Sequence, residues 1–159
     1  MAITDDILDD TLRHAHYLER YKSGVVKKIV ALLNKGNDKY YAQIYRSKIE
    51  NLNRRDVDKL FVRLKKSIKA GYKPVIALLD AEIKDLGQAE SKWQKKIIDG
   101  LVPIELDWEA PSEEQIYASV RARPFEGLLL RDWYQGLEDG AFRRIKQNIM
   151  QGYVEGQTT

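Results

Sequence analysis

NRRDVDKLFVRLKKSIKAGYK, residues 53–73, is the most regular stretch in the chain. Val57, Leu60, Phe61, Leu64 and Ile68 recur at steps of three and four. At about 100° per residue these five fall on one side of a helix. Arg55, Lys59, Arg63 and Lys66 fall on the other side. Asn53 stands where a helix N-cap is expected, since its side chain can accept from the first free backbone N–H groups. The stretch therefore reads as an amphipathic helix with an apolar stripe and a basic back. Ala70-Gly71-Tyr72-Lys73 predicts its end, and Pro74 suits the first turn of a following helix.

Outward from this helix the same period continues. Thr4 and the acids Asp5, Asp6, Asp9 and Asp10 are a helix start, because acids favour the positive end of the macrodipole. Leu8, Leu12, Ala15, Leu18, Tyr21, Val25, Ile29 and Leu32 predict one long helix, with Gly24 as a weak point. Asn34-Lys35-Gly36-Asn37-Asp38 predicts a stop and a turn. A shorter helix over residues 39–52 follows, with Tyr41, Ile44 and Tyr45 facing inward. After Pro74, Val75, Leu79, Ile83, Leu86, Trp93 and Ile97 predict a helix to about Gly100, with a break or kink at Leu86-Gly87.

Residues 101–111 lose the helical period. Pro103 interrupts them, and Ile104, Leu106 and Trp108 alternate with Glu105, Asp107 and Glu109, as in a short extended linker. Ser112-Glu113-Glu114-Gln115 is a capping box that opens a short helix reaching toward Pro124. Pro124-Phe125-Glu126-Gly127 predicts a turn, and the rest predicts two short helices divided at Gly140. The fold class is all-α: an elongated bundle or array of about seven amphipathic helices with a short extended linker.

The totals narrow the function. The 159 residues carry a net charge of +3, with 43% hydrophobic and 32% charged residues. Such a balance suits a modest core and a heavily solvated surface. No apolar run approaches the length of a membrane span, so no membrane partner is expected. The N-terminal MAITDDILDD lacks the layout of a signal peptide. There is no cysteine, which excludes disulfides and thiolate metal sites and fits a reducing compartment. Charge is unevenly spread: residues 39–73 are strongly basic, whereas residues 99–117 carry acids and no base.

No residue pattern points to an enzyme or a cofactor. His14 and His16 are two apart on a helix and project about 200° apart, so they cannot share one metal; both read as ordinary surface or interface histidines. Glu105, Asp107 and Glu109 read as a solvated acidic edge rather than a metal site. There is no Gly-rich phosphate loop and no HExxH pair. The basic face of Arg55, Lys59, Arg63 and Lys66 is the one charge pattern with a candidate ligand. A solvated helix face, an acidic protein partner and a DNA backbone all fit it, and DNA binding would be salt-sensitive and indifferent to sequence.

The closing stretch has a more particular word order. Arg123-Pro124-Phe125-Glu126-Gly127, with Leu129, Trp133 and Gly136-Leu137-Glu138, resembles the N-terminal part of phage head morphogenesis proteins. These are minor head proteins of the phage Mu F type and their portal-associated relatives. Ile145 to Thr159 resembles the helix-Gly-x-x-x-Gly-x-[ST]-x stretch of that family, and Glu105-Leu106-Asp107 before Pro-Ser-x-x-Gln is similar too.

The resemblance implies a structural component of a tailed-phage head, near the portal vertex and assembled in the host cytoplasm. It would act in head assembly and in DNA packaging or delivery. Its expected partners are the portal and/or the major capsid protein, with packaged DNA as a further candidate. Several copies would follow the partner's symmetry. Phe125, Leu129, Trp133 and Leu137 are its candidate partner-binding residues. The alternative is a helical DNA-binding or DNA-ejection-associated virion protein using the basic helix 54–70. Residues 1–100 would be a helical arm, 101–111 an acidic linker, and 112–159 the start of the head-protein region. The final Thr158-Thr159 resembles an unused helix start, so the chain is expected to be the front part of something longer, or one whose remainder is removed.

Overall fold

The computed structural model describes residues 2–101, 109 and 111–155. They form four α-helices: α1 (Ala2–Arg46), α2 (Arg54–Leu101), α3 (Glu113–Ala122) and α4 (Leu130–Glu155). A single 3₁₀ turn, Ile49–Asn51, joins α1 to α2. Among the described residues there is no strand; Phe125 and Leu128 make one isolated antiparallel bridge. The all-α class stands, and the helix count is four rather than about seven. The linker 101–111 falls almost wholly outside the described residues, as do Glu105, Asp107 and the final threonines.

Four helices replace seven because five residues read as breaks lie inside continuous helices. Gly36 is within α1, Gly71, Pro74 and Gly87 are within α2, and Gly140 is within α4. A glycine in a helix interior costs about 1 kcal/mol against alanine. Burying one large side chain contributes roughly 1.5–3 kcal/mol, so a glycine that admits such a side chain is a net gain. Tyr40 shows the exchange: it is buried, and its hydroxyl lies on both Gly36 and Gly71. Pro74 is exposed, so the Ala70 carbonyl it leaves without a donor is open to water.

The chain divides into two compact units. Unit 2 comprises residues 29–78 and 125–159. Here α1 and α2 run antiparallel: Tyr40 donates to the Ile68 carbonyl at 3.3 Å, and Ser67 donates to Gln43 Oε1 at 3.0 Å. The stripe Val57, Leu60, Phe61, Leu64 and Ile68 is buried throughout, as the period predicts. Ile49 from the 3₁₀ turn and Ile149 from α4 close the same cluster, with Phe142 edge-on to Phe61 at 6.4 Å. Asn53 caps α2 by accepting from the Asp56 N–H at 3.0 Å. Lys48 ends α1 with φ 43°, a left-handed residue after the last turn.

Unit 2 also corrects one facing. Tyr41 and Tyr45 are 69% and 81% exposed, and Tyr40 is the tyrosine that points inward. A helix counted afresh from residue 39 groups Tyr41 and Tyr45 with Ile44, but α1 is continuous through this point. A helix continued from residue 2 carries the inward face through Gly36 to Tyr40 and Ile44.

Unit 1 comprises residues 1–28 and 79–124. Its α1 and α2 segments are also antiparallel, since Asp10 meets Lys96, His14 meets Glu90 and Tyr21 meets Glu82. The short helix α3 packs where Ile116 covers Gly87. Both halves of its capping box are present: Ser112 accepts from Gln115 N–H, and Gln115 accepts from Ser112 N–H. Every buried hydrophobic side chain among the described residues belongs to unit 2; in unit 1 the buried side chain is Glu82. The apolar stripe of unit 1, including Leu18, Ile83, Leu86 and Trp93, is half-buried, so apolar burial contributes less there than in unit 2.

Candidate functional site

Charge separates along the same division. Unit 2 contains sixteen Lys and Arg against nine Asp and Glu, a net +7; unit 1 contains eleven against fifteen, a net −4. The two values sum to the +3 of the chain. The mild overall charge hides a strongly basic unit, which attracts polyanions more than +3 suggests.

Within unit 2, Arg55, Lys59, Arg63 and Lys66 are all exposed on α2, opposite the buried stripe. A helix rises about 1.5 Å per residue, so this row is roughly 16 Å long. Lys59 bonds to Asp56 one turn earlier at 3.0 Å, an exposed pair worth little. Among the described residues no ion pair engages Arg55, Arg63 or Lys66 at 4.0 Å or closer. Beside this row an open groove of 650 Å³ runs between the end of α1 and α2. Arg63 lines it from α2, and Lys39 and Arg46 line it from α1, with Asp38 as the acid present. On its floor Ser67 donates to the Gln43 side-chain oxygen, and Ser47 donates to the Gln43 carbonyl at 2.7 Å. The cations are left free to face a ligand.

The grouping of Lys39 and Arg46 with Arg63 is not legible in the local sequence. The sequence places them in the basic stretch, but nothing local reveals that α1 returns alongside Arg63. That adjacency comes from the Tyr40–Gly71 contact, a long-range feature.

The second predicted set lies at the start of α4. Phe125 and Leu128 exchange backbone hydrogen bonds at 2.9 and 3.1 Å. Between them Glu126 and Gly127 have φ 48° and 80°, both positive, as in a type I′ hairpin turn. The Trp133 indole donates to the Phe125 carbonyl at 3.0 Å, and the two rings lie 6.2 Å apart. Leu137 is one turn beyond Trp133. Phe125, Leu128 and Leu137 are 68%, 44% and 46% exposed, whereas Leu129 and Trp133 are half-buried. The structure gathers Phe125 and Trp133 on one built turn.

Unit 1 holds a polar cluster that the sequence did not single out. Lys28 Nζ and the Tyr21 hydroxyl each bond to Glu82 at 2.6 Å, on opposite carboxylate oxygens. The same hydroxyl reaches the Glu82 carbonyl at 2.9 Å. The Lys28 hydrogen bond, then that of Tyr21, holds the Glu82 carboxyl below its ordinary range. Burial, reinforced by the neighbouring carboxylate, pushes the Tyr21 phenol well above its ordinary value. Each carboxylate oxygen has a donor, so the cluster locks α1 to α2 within unit 1.

His14, read as a surface or interface histidine, packs between α1 and α2. Its ring stacks on Trp93 at 3.9 Å and 7°, and Nε2 bonds to Glu90 at 2.7 Å. His16 is exposed. Among the described residues no three His, Asp or Glu side chains converge to hold a metal ion. No helix among them is long and apolar enough to cross a membrane. Compared with known proteins, the chain matches no family model, no curated protein and no solved structure.

Proposed function

We propose that the chain is a structural, non-enzymatic minor head protein of a tailed phage that docks on portal or capsid subunits. The word order of residues 123–159 motivates the family. The observation that carries the docking is the hairpin at the start of α4. It spends a left-handed glutamate to present Phe125 at 68% exposure, with Trp133 fixing it from behind. Aromatic anchors held on a rigid turn are what a protein interface uses. Leu129 and Leu137 extend the same set. The partner's ring would set the copy number, and the place of action would be the portal vertex of the virion.

The test is co-sedimentation with assembled portal rings. Phe125→Asp and Leu137→Asp should each weaken binding by about tenfold or more, the loss of one interface anchor. Both are exposed, so the far-ultraviolet spectrum should not change. A chain with no affinity for portal or capsid, and absent from purified virions, would end this reading.

A second reading, a helical DNA-binding protein of the same particle, is favoured by the exposed row Arg55, Lys59, Arg63 and Lys66. It needs no contact with the hairpin, so the two surfaces can be tested separately.

A further inference from the structure

We infer that the DNA-contacting surface spans two helices. Lys39 and Arg46 of α1, together with Arg63, would form a second row of phosphate contacts beside Arg55, Lys59 and Lys66 of α2. The inference rests on the DNA-binding reading above and extends it to residues on another helix.

Three observations carry it. Arg63 belongs to both sets: it is in the exposed row of α2 and it lines the groove with Lys39 and Arg46. Lys39 and Arg46 are seven residues apart, two helical turns, and both are exposed. The groove floor of Gln43, Ser47 and Ser67 is neutral and already hydrogen-bonded within itself. What the surface offers a ligand is therefore cationic side chains, with Asp38 the acid among them.

The ligand chemistry follows from length and charge. Duplex DNA carries one negative charge per roughly 1.7 Å of axis, so a surface about 16 Å long faces on the order of ten charges. A small anion would engage two or three of these cations and leave the others idle. Arginine presents a planar fork suited to phosphate oxygens, and half of the six cations are arginines. The rest of the unit adds to the field, since its net charge is +7. The contacts inferred are to phosphate, which carries no sequence information, so binding would not depend on sequence.

The experiment is a salt titration of fluorescence anisotropy with the full chain and two duplexes of unrelated sequence. The expected result is equal affinity for both, with a log K against log salt slope near −5 for six cations at about 0.9 each. Lys39→Gln with Arg46→Gln should flatten the slope by about 2. Arg55→Gln with Lys66→Gln should flatten it by about 2 as well. Arg20→Gln with Lys27→Gln in unit 1 removes the same charge and should leave the slope unchanged.

If the α2 pair acts and the α1 pair does not, the second row is wrong and the DNA reading survives. If no variant changes the slope, or if the chain does not bind duplex, both fall. Equal or tighter binding of polyglutamate at matched charge would overturn DNA in favour of an acidic protein partner.

Discussion

The hydroxyl of Tyr40 occupies the space that a side chain at position 71 would need. A Cβ built on Gly71 would stand 1.8 Å from Tyr40 Oη and 2.9 Å from Cζ. Gly71→Ala should therefore destabilise the fold by about 1–3 kcal/mol, the scale of overpacking, although alanine is the better helix former. Tyr40→Leu alone should also destabilise, through lost burial. Combined, the two changes should cost less than their sum, because the clash disappears with the ring. Urea midpoints of the four proteins test this; strict additivity would mean the contact is not what excludes the methyl group.

Ile116 makes the corresponding contact in unit 1. Its Cγ2 would lie 2.3 Å from a Cβ at Gly87, and its own Cβ 3.5 Å away, an ordinary contact. Gly87→Ala should loosen α3 and lower the melting temperature, and adding Ile116→Ala should recover part of the loss. At Gly24, where nothing lies within 4 Å, alanine should raise stability by about 0.5–1 kcal/mol. A destabilised Gly24→Ala protein would show that helix propensity is not the controlling quantity there.

Acid should weaken the Glu82 lock. In the folded chain this carboxyl sits below its ordinary range because Lys28 and Tyr21 hold it ionised. The unfolded chain therefore binds more protons between the folded pKa and the ordinary value, and stability rises with pH across that window. The contribution is complete above the ordinary carboxylate range and is lost as pH falls through the folded value. Tyr21→Phe leaves one buried carboxylate oxygen without its donor and should cost about 1–3 kcal/mol at neutral pH. Glu82→Gln should flatten the acid limb of the stability curve; an unchanged limb would place the acid sensitivity elsewhere.

Hydrogen exchange should divide the helices lengthwise. Unit 1 combines a half-buried apolar stripe with ion pairs, a histidine–tryptophan stack and one buried carboxylate, whereas unit 2 holds the fully buried apolar side chains. Amides of residues 10–28 and 80–98 should exchange through a lower-energy opening than those of residues 57–75. Salt near 1 M should narrow the screening length to about 3 Å and accelerate unit 1 more than unit 2. Uniform protection along α2 would contradict this.

The turn before α4 offers a stabilising change. Glu126 has φ 48°, a region where a residue with a Cβ pays roughly 1 kcal/mol or more and asparagine much less. Glu126→Asn should raise the melting temperature while leaving the bridge between Phe125 and Leu128 intact. A loss of stability would indicate that the glutamate carries an interaction of its own.

Much of this fold is legible in the sequence wherever the signal is local. The period of Val57 to Ile68 sets the buried face and the exposed cations, Asn53 and the Ser112–Gln115 box fix two helix starts, and Pro124 to Gly127 announces the turn. What fails is the reading of Gly36, Gly71, Pro74, Gly87 and Gly140 as punctuation. A glycine that ends a helix and one that admits a neighbour look alike until the neighbour is known. Tyr40 and Ile116 lie 31 and 29 positions from the glycines they cover, Gly71 and Gly87. The same gap concealed the place of Lys39 and Arg46 beside Arg63.

The division into two units has a consequence for how the chain is made. Each unit draws on two separated stretches, so neither is a continuous segment of the polypeptide. During synthesis the first 28 residues must wait for residues 79–124 before their unit can close, and by then residues 29–78 are already outside the ribosome. Those residues hold most of the apolar core, yet Phe142, Ile145 and Ile149, which cover it, emerge only after residues 79–124. The unit without fully buried apolar side chains thus precedes the other in vectorial order, and the apolar core is sealed by α4.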